Sequence, residues 1–548
     1  MSKISTANEI NKPAGAAMPK VLITDKINKS AGDILKGVAQ VDFIETLSED
    51  ELAKIIGDYD GLMIRSQTKV TDKIIQAAKN MKIVGRAGVG VDNVNLDEAT
   101  KAGIIVVNSP DGNTTAAAEH TVALMLAMAR HIPAAAATTK EGKWERSKYT
   151  GVELFKKTLG IIGLGKIGSH VAKAALGLGM SVLVYDPFAS EEIIEATGAK
   201  QVKTLDELWG VCDFITVHVP KTKDTLNLIN KDTIAKMKDG VRIINCARGG
   251  IVNEQDLKEA LESKKVAAAA IDVFTAEPLD NGNPLLHCDG DLILTPHLGA
   301  STEEAQINVA IDVAEQIRDV LSGLNATSAV NSPSLRAEKL EPVKEYMNIA
   351  ENLGLLLGQI AKGAVKEVKI AARGTLSTLD IAPLKVAVLK GILSHSMENV
   401  NYVNAPLIAK NRGIEVSETK AEQSCSYLGL LSIKVTTEQG SYIAAGALGA
   451  DGSSRIVKFN GYDTNIEPAE HILLAPHINK PGMVAGVATI LGEKNVNISM
   501  MQVARKDKEL NSESLMIINA DSPVEDEVLH QINALDGVFN ATYVHLKP

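Results

Sequence analysis

The stretch Leu159-Gly160-Ile161-Ile162-Gly163-Leu164-Gly165-Lys166-Ile167-Gly168, followed one helix later by Ser181-Val182-Leu183-Val184-Tyr185-Asp186, decides how this chain folds. An apolar strand runs into a glycine loop, a helix carries the chain to Gly179, and a second strand ends on an acid. Glycines at 163, 165 and 168 permit a tight turn and close backbone approach. The helix N-terminus, beginning at Lys166 and Ile167, faces a pyrophosphate, and Asp186 accepts hydrogen bonds from a ribose diol. Pro187, Phe188, Ala189 and Ser190 carry no cationic side chain for a 2'-phosphate, so the loop predicts NAD rather than NADP.

Working outward, apolar runs continue at 214–217, 241–245, 268–273 and 292–294, which gives six strands and a complete doubly wound α/β sheet. An earlier series at 21–23, 61–64, 83–85 and 104–107 predicts a second parallel α/β unit. Ser301-Thr302-Glu303-Glu304 has capping-box form and opens a helix with Ile307, Ala310, Ile311, Ala314, Ile317 and Leu321 on one face, closed by Gly323. That helix is expected to return to the first unit. Turn-like composition at Asn331-Ser332-Pro333-Ser334 ends the first half. The expected division is a tail at 1–18, a split substrate-binding domain at 19–117 and 301–330, a dinucleotide domain at 118–300, an α+β unit at 331–467 and a smaller one at 468–548.

At 548 residues the chain is too long for one core, and 57 basic against 67 acidic residues leave a formal charge of -10. A general attraction to nucleic acid or anionic lipid is therefore not expected, and an anionic ligand needs a local basic pocket. Cys212, Cys246, Cys288 and Cys425 show neither CxxC spacing nor a histidine pattern, so they read as reduced, cytosolic thiols with no metal site. The apolar run 121–129 is stopped by Arg130 before reaching membrane length.

Three late strands each lead to a polar residue at the carboxyl edge, where open α/β sheets bind ligands. These are Arg248, Glu277 and His297. Alcohol oxidation needs a base for the hydroxyl proton, which histidine supplies near neutral pH; a carboxylate at Glu277 orients the imidazole and stabilises its charged form. The planar fork of Arg248 suits a carboxylate and a developing carbonyl oxygen.

Asn245-Cys246-Ala247-Arg248-Gly249-Gly250, Asp272-Val273-Phe274-Thr275-Ala276-Glu277-Pro278 and Pro296-His297-Leu298-Gly299-Ala300-Ser301 resemble the signatures of the D-2-hydroxyacid dehydrogenase family. The resemblance implies an Arg, Glu and His active site and a split substrate domain. It also implies cofactor contacts from Val219, Cys246, Ala247, Arg248, Asp272, His297, Gly299 and Ala300. Residues 84–94 and 142–146 resemble the branch that oxidises 3-phosphoglycerate, which implies a substrate pocket from Arg65, Ser66, Arg86, Gly88 and Asn113, with Arg146 donated by a partner subunit of a dimer or tetramer. The segments 399–406 and 412–414 resemble the intervening allosteric domain of that branch's long form. The β-α-β-β-α-β order after residue 468, with Ala475-Pro476-His477-Ile478-Asn479-Lys480-Pro481-Gly482, predicts a ferredoxin-like unit and resembles an ACT domain. By that likeness His477, Asn479 and Asn497 hold L-serine as an effector. Other D-2-hydroxy acids (2-hydroxyglutarate, glycerate, lactate) and a non-catalytic NAD-sensing regulator are the competing readings.

Overall fold

A computed structural model describes residues 18–45, 47–422, 426–506 and 511–547. Residues 1–17 of the expected tail at 1–18, and Cys425, lie outside the described residues.

The dinucleotide loop sits in a seven-stranded parallel sheet. In spatial order its strands are Leu292–Leu294, Val266–Ile271, Val241–Asn245, Phe214–Val217, Thr158–Ile162, Ser181–Tyr185 and Lys200–Gln201. Phe214–Val217 is wholly buried because helices cover both sheet faces, which is why it reads as an unbroken apolar run. The order reverses between Thr158–Ile162 and Phe214–Val217, so the glycine loop opens at the topological switch point. Six of these strands were expected from the sequence; the seventh, Lys200–Gln201, is a two-residue polar edge strand.

The first unit is a five-stranded parallel sheet ordered Gln40–Phe43, Lys20–Ile23, Gly61–Ile64, Ile83–Arg86, Ile105–Asn108. The helix Glu303–Leu321 does return to it. Val309, Val313 and Ile317 bury there with Val21, Ile83 and Val107, and three large aliphatic side chains together contribute several kcal/mol, at about 1.5–3 each. The helix lies so close to the sheet that a Cβ on Gly85 would fall 2.4 Å from Val313. Its cap is Thr302, whose side chain accepts from the Ala305 N–H, so the cap falls one residue after the expected Ser301 and, with Ala305 at the third helical position, no reciprocal box forms. The helix Thr114–Ala129 spans the expected boundary near 117, and its Leu124, Met125 and Met128 join the core under the dinucleotide sheet.

In the second half a six-stranded mixed sheet (Val365–Gly374 central to one parallel and one antiparallel pairing) is covered by the helices Met347–Ile360 and Ala382–Ser394. The four-stranded antiparallel sheet beyond it has the order Ile498–Arg505, Glu513–Ala520, His471–Ile478, Thr542–His545, the ferredoxin-like arrangement. These two units share one core. Ile472, Leu474, Leu515, Ile517 and Val544 of the small sheet bury with Leu353, Leu356 and Leu357 of the Met347–Ile360 helix, while the helices Met483–Glu493 and Asp526–Asn533 close the opposite face. Gln359 exchanges two hydrogen bonds with the His545 backbone (2.8 and 2.9 Å), and Asn352 does the same for Lys547 (2.6 and 3.0 Å). Two helix amides thus cap an edge strand that would otherwise be open to pairing. Among the described residues no single helix is long and apolar enough to cross a membrane.

Candidate active site

The three glycines of the loop serve different neighbours. A Cβ on Gly163, at φ 93°, would sit 2.6 Å from the His218 carbonyl oxygen, and one on Gly168 would sit 2.2 Å from the Gly163 carbonyl oxygen. The fold itself demands those two. A Cβ on Gly165 would meet nothing within 4 Å, so its missing side chain leaves open space above the helix N-terminus, the room a pyrophosphate needs. Val219 lines the loop's other side, within 2.8 Å of that hypothetical Gly163 Cβ. Asp186 accepts from the N–H groups of Leu164 (2.8 Å), Phe188 (2.8 Å) and Ala189 (3.2 Å). A carboxylate has about four acceptor sites, so one remains for a ribose hydroxyl. Lys166 pairs with Asp111 from the first half of the cleft, and Ile167 packs partly buried. These residues fit a dinucleotide.

Arg248, Glu277 and His297 follow the adjacent strands Val241–Asn245, Val266–Ile271 and Leu292–Leu294 at one sheet edge, strands that pair side by side about 4.8 Å apart. His297 Nδ1 lies 2.7 Å from Glu277 Oε2. Glu277 Oε1 accepts from the Phe274 N–H at 2.9 Å, which fixes the carboxylate on its own turn. Burial works to raise the Glu277 carboxyl, but the hydrogen bonds from His297 and Phe274 and the imidazole charge outweigh it, and it lies below its ordinary value. With Nδ1–H donating to Glu277, the unengaged Nε2 is the nitrogen that can take a proton.

The Arg248 turn is built by buried Asn245, which donates to the Arg248 carbonyl (3.0 Å) and accepts from the Ala247 N–H (3.0 Å). A Cβ on Gly249 would lie 1.7 Å from the Phe274 carbonyl, so the Arg248 and Glu277 turns are pressed together. The Arg248 guanidinium reaches across to the first unit, 3.4 Å from Asp92 and in contact range of Gly90. There it faces Arg86 and Arg65. Burial, then the positive charges of Arg248 and Arg65, push the Arg86 guanidinium down to about 10. Its Nε is buried with no partner, as is Asn113 Oδ1 at the start of the Thr114–Ala129 helix. Gly88 lies against Arg86, and Ser66 is exposed beside Arg65. Three arginines around unsatisfied polar atoms make a site short of an anion.

Other expected site residues lie elsewhere. Arg146 is exposed on the 3-10 turn Arg146–Tyr149, beside Trp144 at 86% exposure, and the structure does not place it in the arginine cluster. Asp272 is fully buried and already accepts four hydrogen bonds, so its carboxylate organises the protein rather than facing the cleft. Cys246 is largely buried, its thiol pushed up to about 12, and Ala247, Gly299 and Ala300 form the adjoining backbone. His477 and Asn497 are not brought together within one chain. His477 pairs with Ser514, whereas Asn497 donates to Asp521 at 2.5 Å beside the Ala520 end of the same strand, roughly 20 Å of strand away at about 3.3 Å per residue. Asn479 lies with His477, its backbone bonded to Ser512 and Asn511. Sequence reasoning missed His120, Thr295 and Asn245; only Asn245 carried a signal, as the last residue of a strand inside a quoted motif.

A dinucleotide loop facing an arginine-lined cleft, with a carboxylate-held histidine at its edge, defines a nicotinamide-dependent oxidoreductase of small anionic hydroxy acids. Residues 122–299 match the D-isomer specific 2-hydroxyacid dehydrogenase NAD binding domain, 342–460 the D-3-phosphoglycerate dehydrogenase intervening domain, and 477–537 the ACT domain. The chain is 50% identical to the D-3-phosphoglycerate dehydrogenase of Synechocystis over 96% of its length and 95% of the relative's. It is 44% identical to that of Archaeoglobus fulgidus over 96% and 100%. The solved D-lactate dehydrogenase of Aquifex aeolicus, complexed with NAD and lactic acid, superposes on 56% of this chain and 96% of its own, with TM-score 0.50 and 28% identity. A glyoxylate reductase from Paecilomyes thermophila covers 57% and 98%, with TM-score 0.52 and 28% identity. The chain belongs to the D-3-phosphoglycerate dehydrogenase family and carries its NAD-binding, intervening and ACT domains.

Proposed function

We propose that the chain oxidises 3-phospho-D-glycerate to 3-phosphohydroxypyruvate with NAD, the entry step to L-serine by the phosphorylated route. The observation that carries this reading is the convergence of Arg65, Arg86 and Arg248 on one cleft in an otherwise acidic protein. A monocarboxylate such as lactate needs one such fork; a phosphate with a carboxylate uses all three. Arg248 holds the carboxylate and the oxygen that becomes a carbonyl, and Arg65 and Arg86, with Ser66, Gly88 and Asn113 around them, hold the phosphate. His297 Nε2 takes the C2 hydroxyl proton, and Glu277 stabilises the imidazolium that results. NAD, held by Gly165, the helix N-terminus at Lys166 and Asp186, would supply the acceptor for the C2 hydride. In reduction of the keto acid His297 returns the proton. The test is NADH oxidation with phosphohydroxypyruvate against pyruvate, glyoxylate, hydroxypyruvate and 2-oxoglutarate; a preference for any of the unphosphorylated acids overturns the substrate assignment.

Asp186 selects NAD by accepting from the ribose diol and repelling a 2'-phosphate. Asp186→Ala is expected to raise the NADH Kd and narrow the NADH to NADPH ratio of kcat/KM, measured by steady-state kinetics with each cofactor. An unchanged ratio removes Asp186 from this role.

L-Serine is the effector in this reading. Because His477 and Asn479 stand at one end of the small sheet and Asn497 at the other, the effector is held between two copies, His477 and Asn479 from one and Asn497 from the next. A second contact between copies involves the helix Ile132–Lys140, which buries no residue, and the exposed Trp144, and it carries Arg146 toward a partner's cleft. L-Serine is expected to lower activity, and Asn497→Ala to abolish that inhibition while kcat without serine stays at the parent value. Calorimetry showing no serine binding to the parent defeats the effector assignment.

A further inference from the structure

His297 sits in the left-handed region, at φ 55°, a conformation unfavourable for a residue with a side chain that persists only where its surroundings enforce it. Besides the Thr295 carbonyl, which accepts from the His297 N–H at 3.0 Å, Asp272 supplies that enforcement. The Asp272 carbonyl accepts from the His297 N–H at 2.9 Å, its Oδ1 from the Leu298 N–H at 2.8 Å and its Oδ2 from the Gly299 N–H at 3.0 Å. The Leu298 and Gly299 amides therefore end on the Asp272 carboxylate and the His297 amide on the Asp272 carbonyl, so the turn that carries the His297 imidazole is anchored on Asp272.

Asp272 is fully buried, and a buried carboxylate is tolerated only when its oxygens are satisfied. Its side-chain donors are Thr295 Oγ1 at 2.6 Å and His120 Nε2 at 3.2 Å, and His120 is the one of the two that can carry a charge. Burial acts to raise the Asp272 carboxyl, but the bonds from His120, Thr295 and Leu298 bring it below its ordinary value, so it is ionised. His120 comes from the helix Thr114–Ala129, far from the loop in sequence. Asn113, the residue before that helix, lies seven positions back, so both sit on one helical face about 10.5 Å apart.

We infer that His120 is a positioning residue for the reaction: through Asp272 it fixes the left-handed turn that aims His297 at the substrate. This rests on the role given to His297 above. The same atoms invite a metal reading, because donor atoms of His120, Cys246 and Asp272 lie within 4.8 Å of one another. The chemistry of the set opposes it. The Cys246 thiol is pushed up to about 12 by burial, so it is no thiolate, and both Asp272 oxygens are engaged by N–H and O–H donors.

The experiment compares His120→Leu, which keeps the bulk and loses the donor, with His120→Gln, whose amide N–H can bond Asp272 again. In the full-length protein His120→Leu is expected to lower kcat on the order of tenfold or more, since a misplaced catalytic group costs that much. KM for the keto acid and the NADH Kd stay at parent values, the primary deuterium isotope effect from 4-deuterated NADH rises, and His120→Gln recovers most of kcat. Equal losses in both variants, a parent-like kcat in His120→Leu, or a loss confined to NADH affinity each overturn the inference. Loss of the parent's activity on dialysis against a chelator, with return on adding zinc, overturns it in favour of a metal. Modification of His297 by diethyl pyrocarbonate, followed by mass spectrometry, is independent of turnover. It should quicken in His120→Leu and not in His120→Gln, and an unchanged rate counts against the inference even if the parent proves inactive on every hydroxy acid, which would be the separate failure of the proposed function.

Discussion

His297→Ala is expected to lower kcat on the order of a hundredfold or more and to leave NADH binding near the parent value. The proton at the C2 oxygen has to move as the hydride moves, and His297, held at 2.7 Å by Glu277, is the group placed to move it. In the proposed site NADH is held mainly at Gly165, the helix N-terminus and Asp186, away from the substituted side chain. Fluorescence titration with NADH beside steady-state kinetics checks both halves; a variant with parent-like kcat removes His297 from the mechanism. Glu277→Gln should fall in the same direction by less, because the amide oxygen can still accept from Nδ1–H, while the charge and the acceptor for the Phe274 N–H are lost. The ion pair also links activity to acid stability. Glu277 is held below its ordinary 4.5, so the stability this pair contributes is present above that value and is lost as the pH falls through the lower, folded-state one.

Arg86→Met should raise KM for phosphohydroxypyruvate on the order of a hundredfold, since a hydrogen-bonded charge pair removed from a partly buried site costs about 1.5–3 kcal/mol or more. The free protein should respond in the opposite sense. Arg86 stands largely buried beside two other guanidinium groups, with Nε unpartnered, and that arrangement is unfavourable until an anion enters. Methionine fills similar space without the charge, and replacing a poorly compensated buried ion with an apolar group is often neutral or stabilising. The expected result is a Tm equal to or above the parent's together with a large loss of affinity. A parent-like KM would mean that the phosphate is held elsewhere; a lower Tm would mean that the arginine supports the fold.

The sequence by itself determined the sheet around the glycine loop, because parallel strands covered on both faces must be apolar along their whole length. It also determined Arg248, Glu277 and His297 as a set, because each follows such a strand and open α/β sheets bind at that edge. The edge strands Gln40–Phe43 and Lys200–Gln201 escaped it, since half-exposed or polar two-to-four-residue segments carry no such run. Only the tertiary structure decided what lies under the catalytic loop. His120 and Asp272 are 152 residues apart, and nothing in the local pattern around His120 distinguishes it from any other polar position on an alanine-rich helix. It likewise decided that the last two units share a core and that His477 and Asn497 stand at opposite ends of one sheet. Periodicity reports which face of an element is buried, while the identity of the element buried against it is fixed by how distant segments meet.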